Sequence, residues 1–207
     1  LNDYTRVIEL EPCKAEGYTQ RADCYASQKN YELALIDYTK VIELDPNKSE
    51  AYIQRADCYE SQKNYELALI DYTKVIELEP SESKSYNHRA ICYFKIEKYD
   101  LAIADFTQDI ELNLNDATLY QNRAVTYERQ EIYDLALNDY TKVIELEPNK
   151  SEGYLQRAVC YKTQKNYEVA LSDYTKAIEL EPNESEAYSQ RAACYELQKN
   201  YDLALGD

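Results

Sequence analysis

Residues 52–80 read YIQRADCYESQKNYELALIDYTKVIELEP, and the chain is this stretch written repeatedly. Tyr4, Tyr38, Tyr72, Phe106, Tyr140 and Tyr174 follow one another at steps of 34 residues, and Ala22, Ala56, Ala90, Ala124, Ala158 and Ala192 keep the same step. A fixed period between about 20 and 50 residues marks a protein of stacked repeats. Counted from Ala15, full repeats occupy 15–48, 49–82, 83–116, 117–150 and 151–184. Residues 1–14 are the back part of an earlier unit and 185–207 a truncated later one, so 1–207 reads as one continuous array. The first two full repeats differ at seven of 34 positions.

Each repeat reads as two helices. Tyr52, Ala56 and Tyr59 fall at i, i+4 and i+7 on one face; Tyr65, Ala68, Tyr72, Val75 and Ile76 do the same in the second half. Gln62-Lys63-Asn64 between them is a short polar link suited to an antiparallel pair. Proline disfavours helix at the residue before it, and all five prolines (Pro12, Pro46, Pro80, Pro148, Pro182) stand at the end of a second helix. Leu114 replaces proline in Leu112-Asn113-Leu114-Asn115, predicting a softer stop there. Ala56 and Ala68 are expected where the helices cross, because small side chains let axes approach closely. A lone pair leaves one apolar face wet, so the units must stack. The expected fold is all-α, a superhelical solenoid of stacked antiparallel helix pairs.

Composition narrows the function. The chain has 207 residues, 44 % hydrophobic, enough for a core despite 30 % charged residues. Lys and Arg number 23 against 39 Asp and Glu, a net charge of −16 that repels phosphate backbones and argues against nucleic acid as a partner. No run reaches the roughly 18 apolar residues of a membrane span, so no membrane insertion is expected. Without methionine, and entering in mid-repeat, the sequence is expected to be an excerpt of a longer array.

Tyr18, Arg21, Ala22, Tyr25, Ala34, Tyr38 and Pro46 match W-x₂-L-G-x₂-Y…A-x₃-F…P in spacing, and the set recurs in every full unit apart from Leu114. In this the chain resembles the tetratricopeptide repeat family over its whole length, with arginine standing at the family's leucine position. The resemblance implies a right-handed superhelix whose first helices line a concave groove, and a function of binding peptides or proteins.

Most recurring residues are expected to be scaffold. All 23 tyrosines fall in the columns of Tyr18, Tyr25, Tyr31 and Tyr38, on the packing faces. Cys24, Cys58, Cys92, Cys160 and Cys194 form another column at the repeat period, broken by Thr126. Equivalent helices lie on the order of 10 Å apart, too far for a disulfide, so free buried thiols in a reducing compartment are expected, with Cys13 in a turn the reactive one. Arg21, Arg55, Arg89, Arg123, Arg157 and Arg191 with Asp37, Asp71, Asp105, Asp139 and Asp173 are expected to form a ladder of ion pairs, within or between units. His88 is the single histidine and no Gly-rich phosphate loop exists, so neither an enzyme, a metal site nor a cofactor is expected.

The informative positions are those that change. At 100° per residue, the positions of Glu16, Thr19, Asp23 and Ala26 form one stripe, the one that lines the groove by resemblance. It continues as Glu50, Ile53, Asp57, Glu60; Lys84, Asn87, Ile91, Phe94; Thr118, Gln121, Val125, Glu128; Glu152, Leu155, Val159, Lys162; and Glu186, Ser189, Ala193, Glu196. Glu16, Asp23, Glu50, Asp57 and Glu60 make an acidic end. Asn87, Ile91, Phe94, Gln121, Val125, Leu155, Val159 and Lys162, with neighbouring Lys95 and Arg129, make an expected partner-binding surface, whose apolar members Ile91, Phe94, Val125, Leu155 and Val159 are expected to take no part in internal packing. An extended or helical partner segment would anchor there, its basic end toward the acidic repeats.

Lysines and asparagines that clamp a chaperone's C-terminal carboxylate in some family members are replaced here by Thr19 and Asp23, or Ile53 and Asp57, so that clamp is not expected. The leading reading is an intracellular scaffold in a larger assembly. A structural rod in a cytoskeletal or ciliary assembly is the alternative, and the regulatory arm of an enzyme beyond the sequence is a third.

Overall fold

A computed structural model describes residues 2–206. Thirteen α-helices and no strand occur among them: α1 (Asn2–Leu10), α2 (Ala15–Ser27), α3 (Tyr31–Leu44), α4 (Ser49–Ser61), α5 (Tyr65–Leu78), α6 (Ser83–Lys95), α7 (Tyr99–Leu112), α8 (Ala117–Arg129), α9 (Tyr133–Leu146), α10 (Ser151–Thr163), α11 (Tyr167–Leu180), α12 (Ser185–Leu197) and α13 (Tyr201–Ala204). They fall into two compact units, one ending at Leu112 and the other starting at Asn113. That division falls at the inter-repeat junction where Leu114 replaces proline. In the first unit α2 packs on α3, α4 on α5 and α6 on α7, and each pair rests on the next through α3–α4 and α5–α6. In the second, α8–α9 and α10–α11 pair in the same way, and α12 continues the stack on α11. The expected all-α stack of helix pairs is what the chain forms.

Local chemistry sets the turns. Lys29, Lys63, Glu97, Glu131, Lys165 and Lys199 sit at φ 59–63° after each first helix. Around Lys29 the amide of Asn30 reaches Tyr25 O at 2.9 Å and that of Lys29 reaches Ala26 O at 2.8 Å, closing the helix in a left-handed cap. Glycine usually fills this position; a side chain there costs about 1–2 kcal/mol, so packing of the pair must hold the turn. At the other end, Asp45 and Glu79 precede proline and leave the helical region (φ −139° and −134°, ψ 88° and 78°). The hydroxyls of Tyr18, Tyr52, Tyr86 and Tyr154 then donate to the carbonyls of Pro12, Pro46, Pro80 and Pro148 at 3.1–3.4 Å. Tyr120 makes the same bond to Leu114 O at 3.2 Å, because it needs the carbonyl rather than the ring.

The core repeats like the sequence. Ala56 and Ala68 are fully buried and pack with Tyr72 and Cys92; Ala22, Ala34, Tyr38 and Cys58 are their counterparts one repeat earlier. The six cysteines are free, Cys58, Cys92, Cys160 and Cys194 buried and Cys13 exposed. Burial pushes the Cys58 thiol up to about 11 and those of Cys92 and Cys160 to about 12, which suppresses thiolate and reactivity.

The arginine ladder is present and lies within each pair. Arg21, Arg55, Arg89, Arg123 and Arg157 each donate Nε and Nη2 to both oxygens of Asp37, Asp71, Asp105, Asp139 and Asp173 at 2.7–2.8 Å. Nη1 reaches back to the preceding second helix, from Arg55 to Thr39, Arg89 to Thr73 and Arg157 to Thr141, at 3.0–3.1 Å. One guanidinium therefore joins three helices, a job that needs arginine's planar fork rather than lysine's point charge. The family's leucine position has become a polar staple between successive repeats.

Candidate functional site

The variable stripe lies on the first helices, α2, α4 and α6 in the first unit and α8, α10 and α12 in the second. In the first unit its acidic members are tied to buried tyrosines. Tyr38 donates its hydroxyl to Asp23 Oδ1 at 2.7 Å. Tyr72 reaches Asp57 Oδ1 at 2.7 Å and Glu60 Oε2 at 2.9 Å. Glu16 and Glu50 are exposed and accept from Gln20 and Gln54 on their own helices.

His88, on α6, completes a cluster. Its Nδ1 lies 3.3 Å from Glu60 Oε2, and its ring stacks on Tyr72 with centroids 5.4 Å apart and planes at 29°. Burial raises the Asp57 carboxyl above its ordinary value although Tyr72 and His88 oppose it. Burial also acts on Glu60, but the hydrogen bonds with His88 and Tyr72 outweigh it and leave Glu60 below its ordinary value. His88 is raised, chiefly by the Glu60 hydrogen bond, against the opposing effect of burial.

One repeat further on, the same stripe is apolar. Ile91 and Phe94 are half-buried and pack against Ala90, Ala102 and Phe106, and Phe94 meets Tyr99 edge-on at 5.6 Å. Asn87 is half-buried beside them and Lys95 exposed. In the second unit Val125 packs on Ala124, Ala136, Tyr140 and Cys160. Gln121 donates to Glu152 at 3.3 Å, Glu128 accepts from Tyr140 at 2.6 Å, and Lys162 is bonded to Gln190. Arg129 is exposed.

The apolar members of the stripe do share in the core, which corrects the expectation that they pack nothing internally. Val159 and Val125 are half-buried against it. Leu155 is 5 % exposed and belongs to the core cluster with Ala158, Tyr174, Ala187 and Cys194, so it is a packing residue here. Leu155 packs in one cluster with Ala187 of the next first helix instead of standing off the surface.

The Asp57–Glu60–His88 meeting was not foreseen from a lone histidine. Its signal is the offset of 28 residues between Glu60 and His88, one repeat less six. Lys162 and Gln190 touch at the same offset in the second unit. That is the register in which successive first helices lie side by side.

Regular helix pairs, a periodic core and a variable first-helix stripe define a repeat-built scaffold for protein interactions. Models of the tetratricopeptide repeat match residues 15–48, 49–82, 117–150 and 151–184, residues 83–116 and residues 173–206. The chain belongs to the tetratricopeptide repeat family, whose members are generally non-catalytic scaffolds. No helix among the described residues is long and apolar enough to cross a membrane.

No curated protein matches the sequence. Among solved structures it is similar to YrrB, described as a tetratricopeptide repeat protein with an unusual peptide-binding site, at 26 % identity and TM-score 0.76, covering 89 % of this chain and 95 % of that one. It is similar in fold to MamA, at 22 % identity and TM-score 0.78, covering 83 % and 94 %. PilF of Pseudomonas aeruginosa is alike in fold at 16 % identity and TM-score 0.70, covering 93 % and 87 %.

Proposed function

We propose that the first-helix stripe of the first unit binds a partner segment that presents an apolar anchor followed by basic residues. The observation that carries this is the change of character within one stripe. Glu16, Asp23, Glu50, Asp57 and Glu60 are acidic, and Ile91 and Phe94 follow, half-buried, with Asn87 and exposed Lys95 beside them. Half-buried aromatic and aliphatic side chains next to complementary charge suit a binding hot spot with an electrostatic rim. The peptide-binding site named for YrrB supports the general mode. In the second unit Gln121, Val125, Arg129, Val159 and Lys162 offer a separate, less acidic stripe for the same kind of contact. Free cysteines throughout support a reducing, intracellular setting for such a scaffold, and the missing basic clamp supports rejection of peptides with acidic C-termini.

Selection of displayed random peptides against the protein tests this. Enriched sequences should pair an apolar anchor with Lys or Arg, and Glu16→Lys with Glu50→Lys should weaken them. Phe94→Ala should weaken them too, in a protein that still melts cooperatively. Acidic winners, or winners that ignore both sets of changes, sink the reading.

A second reading rests on the opposite face. Ile36 and Ile70, on second helices, are 64 % and 63 % exposed, with Leu33, Leu67 and Leu101 also exposed. Such a row suits lateral packing of a structural rod. Sedimentation would then show association that Ile36→Lys with Ile70→Lys abolishes.

A further inference from the structure

We propose that Asp57, Glu60 and His88 form a binding site for one divalent transition-metal ion of the zinc type. One ligand atom from each lies within 4.8 Å of the other two, and they come from two helices, α4 and α6, held side by side by the repeat packing. Bonds of about 2.0–2.2 Å from a tetrahedral ion to oxygen and nitrogen set neighbouring donors roughly 3.3–3.5 Å apart. Glu60 Oε2 and His88 Nδ1 already stand 3.3 Å apart. The Asp57 ligand atom lies within 4.8 Å of both and would have to draw in on binding.

The surroundings also fit an ion. Tyr72 has one hydroxyl hydrogen, and both carboxylates converge on it at 2.7 and 2.9 Å, so the carboxylate it leaves must turn to another positive partner, a place that His88 or a bound ion can fill. A dication facing Asp57, Glu60 and a neutral imidazole balances the two negative charges. Tyr72 would then serve as the outer partner that orients a ligating carboxylate, while its ring, stacked on His88 at 5.4 Å, fixes the plane of the imidazole. The His88 side chain is 43 % exposed and that of Glu60 26 %, which gives an ion a way in and leaves coordination positions for water. Two oxygens and one imidazole nitrogen form a borderline-to-hard donor set, suited to Zn²⁺, Co²⁺ or Mn²⁺ rather than to soft ions.

The trio occurs once, where the second and third full repeats meet. The equivalent trios are Asp23, Ala26 and Gln54; Ile91, Phe94 and Asn122; Val125, Glu128 and Gln156; and Val159, Lys162 and Gln190. None brings three ligand-type side chains together, and among the described residues no other group of this kind occurs. The packing does not require the trio, since the other repeats fold with glutamine or asparagine in the place of His88.

Calorimetric titration of the whole chain with ZnCl₂, in a Cys13→Ser background that removes the exposed thiol, tests the proposal. The expected result is saturation at one ion per chain, with a change in the ring-nitrogen signals of His88, the single imidazole, in ¹⁵N NMR. His88→Gln, the residue other repeats carry, and Asp57→Asn should each weaken binding by at least about tenfold, the loss seen even for outer-shell partners. Absence of saturable binding overturns it. So do wild-type affinity in His88→Gln, and zinc uptake that leaves the His88 ring unchanged.

Discussion

The second and third repeats share a backbone course, a left-handed turn and an arginine staple, yet their first-helix stripes are opposite in kind. Around Tyr72 stand Asp57, Glu60 and His88; around Phe106 stand Ile91 and Phe94. The difference is a matched pair of changes. A buried hydroxyl needs an acceptor, and the stripe supplies it: Asp23 for Tyr38, Asp57 and Glu60 for Tyr72, Glu128 for Tyr140. In the third repeat, where the stripe is apolar, the hydroxyl is gone and phenylalanine stands in its place. The variable stripe and the core are coupled through one column here, and a stripe carboxylate also holds the pair of helices together.

The largest expected effect comes from what the two repeats have in common. Arg55→Leu leaves Asp71, 2 % exposed, as an unpaired buried charge, which costs about 3–5 kcal/mol. Arg89→Leu should cost a similar amount through Asp105. The double change Arg55→Leu with Asp71→Leu should recover most of the loss, since the penalty is the stranded charge. Urea denaturation followed by circular dichroism measures all three. Equal midpoints for the single and double variants would show that the staple carries little.

Next come the changes that break the contrast. Tyr72→Phe withdraws the donor shared by two carboxylates and should cost about 1.5–3 kcal/mol, the range for hydrogen bonds to charged groups. Phe106→Tyr should cost about 1–3 kcal/mol by burying a hydroxyl against Ile91 and Phe94. Adding Ile91→Asp, which copies the Asp57 position, should restore part of it. If Phe106→Tyr is as stable as wild type by urea midpoint, the stripe and the tyrosine column are independent.

What could be read beforehand follows the same line. The helix pairs, the alanine crossings and the Arg–Asp ladder were legible because their residues recur in fixed columns, and a fixed column has one environment. The left-handed turn residue was not, because Lys63 and its counterparts carry no glycine signal. Leu155 was misplaced because a helical wheel gives direction and not depth; Ala187, small and on the next first helix, lets it sink into the core. The meeting of Glu60 with His88, 28 residues apart, depends on the lateral register of successive first helices, a property of packing and not of either helix alone.

Tyr174 gives the smallest effect and one of opposite sign. Its hydroxyl is buried without a hydrogen-bond partner, because the stripe positions that serve Tyr38 and Tyr72 are Val159 and Lys162 in its repeat. Burial, with Cys194 and Glu186 nearby adding to it, raises its hydroxyl above the ordinary tyrosine value. Removing an unsatisfied buried hydroxyl while keeping the ring costs nothing in packing and ends the desolvation penalty. Tyr174→Phe should therefore be neutral or stabilising by up to about 1 kcal/mol, whereas Tyr72→Phe, the same chemical change, destabilises. Thermal melts of the two variants side by side read the difference in sign. A clear loss for Tyr174→Phe would mean that its hydroxyl finds an acceptor in solution, and that Phe106 is not the only member of the column to have adapted to an apolar stripe.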